Sequence, residues 1–205
     1  MVSTIKELVM DKKQIDILNQ ELGVLIDVPL YSVTRSADAL CLSLGDLIKC
    51  QGVIRDEHGK LVAAEVERSM LALEISCCYR IVCGNEILLA KNDLYQPALA
   101  VQEQWALESI EEIPEDFDCE AIGNNRLDDR MRQLFSDCKD IHVSSIKINQ
   151  FGDLKISFSN GFILSSTSDV SGEEECWRFF RRDTNQHIVV TGAGLEIDEV
   201  DDSLT

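Results

Sequence analysis

Apolar residues at every second position, interrupted by turn-forming pairs, recur along most of this chain and demand antiparallel strands. In ADALCLSLG, Leu40, Leu42 and Leu44 share one face, and the run stops at Gly45. SMLALEISCCYRIVCGNEILLAKNDLY reads as two strands around a Gly84-Asn85 turn. HVSSIKINQFGDLKISFSNGFILSSTS offers further strands, divided at Phe151-Gly152-Asp153 and at Ser159-Asn160-Gly161, where Asn-Gly is the stronger turn signal. CWRFFRRDTNQHIVVTGAGLEI adds two or three more. KCQGVIRDEHGKL, rich in charge and turn formers, reads as a loop or weak hairpin.

Helical spacing is confined to two places. Ile5, Leu8, Val9, Ile15, Leu18 and Leu22 fit one or two short helices that end near Gly23. In the middle, PALAVQEQWALESIEEI fits a short helix and EDFDCEAIGNN a loop. RLDDRMRQLFSD then places Leu127, Met131 and Leu134 on one helical face, with Asn125 or Asp128 as the cap.

Two segments share an order of features. CCYRIV (77–82) and ECWRFF (175–180) both run Cys, aromatic, Arg, apolar, apolar, each after an alternating strand and before a turn and an apolar strand. The pattern reads as a pseudo-repeat of 24–100 and 141–198, joined by a helical and loop segment 101–140; β-meanders also share such order by physics alone. Tyr79 and Trp177 are expected as packed strand aromatics, with Arg80 and Arg178 on the opposite face beside acids. The expected fold is α+β: mainly antiparallel sheet in two meander-like halves, one compact domain over 1–205, short helices at the N-terminus and in the middle, and an acidic tail at 199–205.

Charge bears on partners. The formal net is −18, beyond the roughly 2 to 8 units usual for a small domain. Residues 1–101 hold 14 acids and 10 bases, residues 102–205 hold 23 acids and 9 bases, so the second half carries −14. Such a surface disfavours direct nucleic-acid binding, which needs cations to displace counterions, and attracts a basic protein. Eight cysteines without a C-x-x-C pair, set mostly in apolar alternation, are expected as reduced structural thiols in a cytoplasmic protein. The opening residues lack signal-peptide character, and no apolar run has membrane-spanning length.

Chemistry-bearing motifs are sparse. The chain has no P-loop, Rossmann glycine pattern, G-x-S-x-G or H-E-x-x-H, and neither a metal nor a cofactor is expected. Two sets of residues stand as candidates. Glu111, Glu112, Glu115, Asp116 and Asp118 form an acidic stretch suited to a basic partner. Tyr95, Asn125, Asp128 and Arg130 form a polar set for a small-ligand or enzyme site between the halves.

ALEISCCYRIV, followed by DLYQP and GNNRLDDR, resembles a bacterial protein family of unknown function. Its signature runs Ala-Leu, an apolar residue, Cys, an aromatic, Arg and Ile, then Asp-Leu-Tyr-x-Pro, then Gly-x-Asn-x-apolar-Asp-x-Arg. FSNGFILS, CWRFF and HIVVTG are similar to C-terminal segments of that family and to immunity-type proteins of bacterial toxin systems. The resemblance spans about residues 20–197. It departs at Glu74 and Ser76, where the family tends to carry His and Gln, and at Cys78-Tyr79, where it often carries Pro-Trp. It implies a shared fold and no known enzymatic activity. The expectation is a non-enzymatic immunity-type protein that neutralises a basic partner, such as a toxin, through its acidic C-terminal half. A ligand-binding protein or enzyme with a site between the halves, and a nucleic-acid-mimicking inhibitor from a phage or plasmid, are the alternatives.

Overall fold

The computed structural model describes residues 10–56, 58–110, 112–184 and 186–199. The expected helical residues Ile5, Leu8 and Val9, and nearly all of the acidic tail, lie outside them. Helix α1 (Lys12–Leu22) starts at a capping box, in which Asp11 accepts from Gln14 N at 2.8 Å and the Gln14 side chain accepts from Asp11 N at 3.0 Å. Leu18 and Leu22 are its buried residues.

Eleven strands follow: β1 (Leu30–Ser36), β2 (Ala39–Arg55), β3 (Leu61–Ile75), β4 (Cys78–Cys83), β5 (Glu86–Ala90), β6 (Val143–Ile148), β7 (Leu154–Phe158), β8 (Phe162–Thr167), β9 (Glu175–Arg181), β10 (Gln186–Thr191) and β11 (Gly194–Glu199). Between β5 and β6 lie a 3-10 turn (Lys91–Tyr95), α2 (Leu99–Leu107) and α3 (Arg126–Phe135). The strands make two antiparallel sheets, of order β1-β2-β3-β9-β10-β11 and β5-β4-β8-β7-β6. The fold is α+β, as the alternation and the helical spacings require.

Each sheet takes strands from both halves of the chain. The first contributes β1–β3 to the six-stranded sheet and β4–β5 to the other; the second contributes β9–β11 and β6–β8. The two Cys-aromatic-Arg strands therefore sit in different sheets. Their aromatics nevertheless enter one buried cluster that draws on both sheets. Trp177 is fully buried and its indole N–H donates to Gly152 O at 2.8 Å; the Tyr79 hydroxyl donates to Asp38 O at 3.1 Å. Gly152 has φ 80° and lies so close to Val190 and Met10 that a Cβ would meet them at 2.7 and 2.9 Å. Arg178, facing away from the core, pairs with Glu175 at 2.6 Å.

The stretch read as a loop or weak hairpin is a long hairpin, strand on both sides of its turn. β2 and β3 stay in register from Leu47↔Ser69 to Arg55↔Leu61. Alternation persists across Ile48, Cys50 and Ile54, opposite Arg68, Val66 and Val62, and Asp56 closes the turn by accepting from His58 N and Lys60 N, both at 2.9 Å. The charges that suggested a loop are cross-strand partners, as in Lys49–Glu65 at 3.1 Å.

Candidate functional site

The acidic stretch begins on α2. That helix is apolar in composition, LAVQEQWAL, yet none of its residues is buried. It ends at Leu107, and Ser109, with φ of 60°, turns the chain away. Trp105 meets Phe117 edge-on, ring centroids 5.2 Å apart, so the following loop folds back on the helix. Asp118 accepts from Glu120 N and Ala121 N at 3.1 Å, which shapes the far turn.

Between Lys91 and Arg126 the sequence has no Lys or Arg; residues 102–125 alone carry eight acids. Glu112, Glu115, Asp116 and Asp118 are exposed there, while Glu111 lies outside the described residues. Isoleucines and a leucine stand among them. Leu107 is 89% exposed and Ile122 91%, and Ile110 and Ile113 are exposed as well. Large exposed apolar side chains and carboxylates thus alternate along one segment.

The polar candidates divide into a buried pair and a surface pair. Asn125 and Asp128 are buried. Asn125 caps α3 by accepting from Asp128 N at 2.8 Å, and Asp128 accepts from Gly123 N at 2.7 Å. Arg35, on β1, grips Asp128 with two bonds: Nε to Oδ1 at 2.6 Å and Nη2 to Oδ2 at 2.9 Å. The side chains are 7% and 8% exposed. Burial pushes the Asp128 carboxyl up; the Arg35 hydrogen bond and charge, with Gly123 N–H and the Asn125 amide, outweigh it and hold the group below its ordinary range. The Arg35 guanidinium is raised in turn, chiefly by its hydrogen bond to Asp128.

This buried network is the foot of the acidic stretch. Arg35 Nη2 also donates to Glu120 O at 2.9 Å, and Asn125 Nδ2 to Cys119 O at 2.9 Å. At the near end Ala98 N bonds Asn124 O at 2.7 Å, Arg126 N bonds Gln96 O at 2.7 Å, and Asp129 accepts from Leu99 N at 3.0 Å at the head of α2. The segment thus leaves and re-enters the fold at one hydrogen-bonded base.

The surface pair is spread out. Tyr95 is exposed at the end of the 3-10 turn. Arg130 is exposed and lines a groove of about 780 Å³ between α2 and α3 with Arg126, Asp129 and Gln133. Arg130 donates to Gln133 Oε1 at 3.3 Å. Asp129 is held by Leu99 N and by Arg132 at 3.3 Å.

No family model, no curated protein and no solved structure matches the chain.

Two parts of the site escape a reading of the sequence. Arg35 is 93 residues from Asp128, and nothing local marks it as the partner. Leu107, Ile110 and Ile113 fall in the stretch expected to be helical up to Ile113, but α2 stops at Leu107, and nothing in the sequence marks them or Ile122 as exposed. The eight cysteines are free thiols. Cys77 and Cys176 are buried side by side where the ends of β3 and β9 meet; Ser76 N and Cys77 N both donate to Cys176 O, at 2.9 and 3.0 Å. A hydrogen bond from Cys77 is the main cause that lowers the Cys176 thiol.

Proposed function

We propose that this is a non-enzymatic binding protein of the immunity type, which holds a basic protein partner through the segment from Leu107 to Ile122. One observation carries the reading: four large apolar side chains stand exposed on a segment that holds carboxylates and no Lys or Arg in its own sequence and is fastened at its base. The carboxylates supply long-range attraction and the apolar groups supply contact energy once water is expelled. The carboxylate drawn inside, Asp128, is engaged by Arg35, Gly123 and Asn125, and its work is to position the loop.

The two parts act on different rate constants, and that gives the test. Association with the basic protein that co-purifies is followed by stopped flow at about 0.1 M and about 1 M salt, where the Debye length falls from about 10 to 3 Å. The rate is expected to drop steeply with salt, and to drop at low salt when Glu112, Glu115, Asp116 and Asp118 are changed to Lys. Leu107→Ala and Ile122→Ala are expected to speed dissociation with little change in association. A salt-independent rate that the charge-reversed variant leaves unchanged overturns the proposal and leaves the acids as a solubility feature.

A further inference from the structure

The hairpin β2–β3 outruns its own sheet. β1 pairs with β2 only across Ala39–Leu44, and β9 pairs with β3 only across Leu71–Ile75. β2 and β3 remain paired out to Arg55 and Leu61. Residues 47–55 and 61–69 therefore form a two-stranded ribbon that no third strand borders among the described residues. At a rise of about 3.3 Å per residue it is about 30 Å long.

Its apolar face looks away from the core. On β3 the buried core row is Leu71, Leu73 and Ile75, whereas the apolar row of the ribbon is Val62, Ala64 and Val66, on the alternate face. On β2 a bulge between Leu44 and Leu47, at Gly45 with φ 77°, moves the even-numbered row to that same outer side. Ile48, Cys50, Gly52 and Ile54 then stand opposite Arg68, Val66, Ala64 and Val62, and Arg68 is the single charge among the eight. Within the ribbon this row is half-buried, with Gly52 buried and Ile54 43% exposed. A two-stranded ribbon in water is marginal without a covered face.

Charge and length select the occupant. Residues 47–69 carry Asp56, Glu57, Glu65 and Glu67 against Lys49, Arg55, Lys60 and Arg68, four acids and four bases, so the whole −18 lies elsewhere. A ribbon without net charge gives a basic partner no attraction, and an acidic partner is repelled by the body. A second ribbon of the same kind meets neither difficulty. Running two ribbons antiparallel sets the acidic bodies at opposite ends of the pair, several Debye lengths of about 8 Å apart. We propose that two copies of this chain associate through their ribbons, apolar face on apolar face, about a two-fold axis. The footprint, about 30 Å by about 10 Å, removes roughly 600 Å² in total, half of a small standard interface, so the dimer is weak and reversible.

Sedimentation equilibrium of the full chain from about 10 to about 500 µM, at about 0.1 and 0.5 M salt, tests this. A monomer–dimer equilibrium is expected, unchanged or tightened by salt, and weakened at least about tenfold by Ile54→Lys. Val53→Lys, one residue away on the opposite face, is expected to leave it intact; Ile54→Ser reads the same row more gently if the lysine disturbs folding. A monomer at every concentration overturns the proposal, as does equal sensitivity to Val53→Lys and Ile54→Lys, which marks pairing through the strand edge. Loosening by salt also overturns it. Lysines in place of Glu112, Glu115, Asp116 and Asp118 leave the dimer unchanged if the two surfaces are separate, so this proposal and the partner-binding one fail independently.

Discussion

Leu71, Leu73 and Ile75 are buried in the core shared by the two sheets, whereas Val62, Ala64 and Val66, earlier on the same strand, stay half-exposed. Both rows take every second position of the strand, and both pair with β2, on either side of the bulge between Leu44 and Leu47. They differ in phase: the inner row is odd-numbered and the outer row even-numbered, with the change at the adjacent apolar pair Met70-Leu71. An alternating strand announces a face to be covered, and its phase relative to the core decides whether the protein's own second sheet can cover it.

Substitutions in the inner region should show the largest effects. Trp177→Ala removes a fully buried indole and orphans Gly152 O, and is expected to cost about 3–5 kcal/mol in urea unfolding. Leu73→Ala, beside it in the same core, should cost about 2–5 kcal/mol. Small losses at both sites would mean that the inner rows pack no better than the ribbon and would erase the contrast.

Next comes the buried foot of the acidic segment. Asp128→Asn leaves the Arg35 guanidinium buried without its counter-charge, and is expected to cost about 3–5 kcal/mol at neutral pH. The folded-state carboxyl is held below its ordinary range, so its contribution is complete above that range and is lost as pH falls through the folded value. The stability gap between wild type and Asp128→Asn should therefore be widest near pH 7 and shrink as the medium is acidified below about pH 4. A gap independent of pH would show that the amide and carboxylate serve Arg35 equally, and that shape rather than charge fixes the loop.

The smallest effect belongs to the ribbon. Ile54 is 43% exposed, and Ile54→Lys should change the unfolding free energy of the dilute monomer by no more than about 0.5 kcal/mol. A loss near that of Leu73→Ala would place the outer row in a packed core. The same substitution measured at high concentration, where the ribbons pair, should show a larger loss, because association stabilises the folded state by mass action.

Local physics made much of the architecture legible in the sequence. Turns at Gly84-Asn85 and Ser159-Asn160-Gly161, the α3 face of Leu127 and Met131, the Asn125 cap and the burial of Tyr79 and Trp177 all depend on residues within a few positions of one another. Reading KCQGVIRDEHGKL as a loop or weak hairpin rests on the same locality: the hairpin is there, but its charges look like turn formers until the cross-strand partners Glu65 and Glu67 are set beside Lys49. The pairing of Arg35 with Asp128, the division of each half between two sheets and the uncovered ribbon were decided by tertiary structure alone. Period-two alternation fixes which residues share a face at no cost in chain closure, but it is blind to what lies opposite. That choice is made by contacts between residues far apart in sequence, where the Gly45 bulge can turn an entire row from the core to the outside.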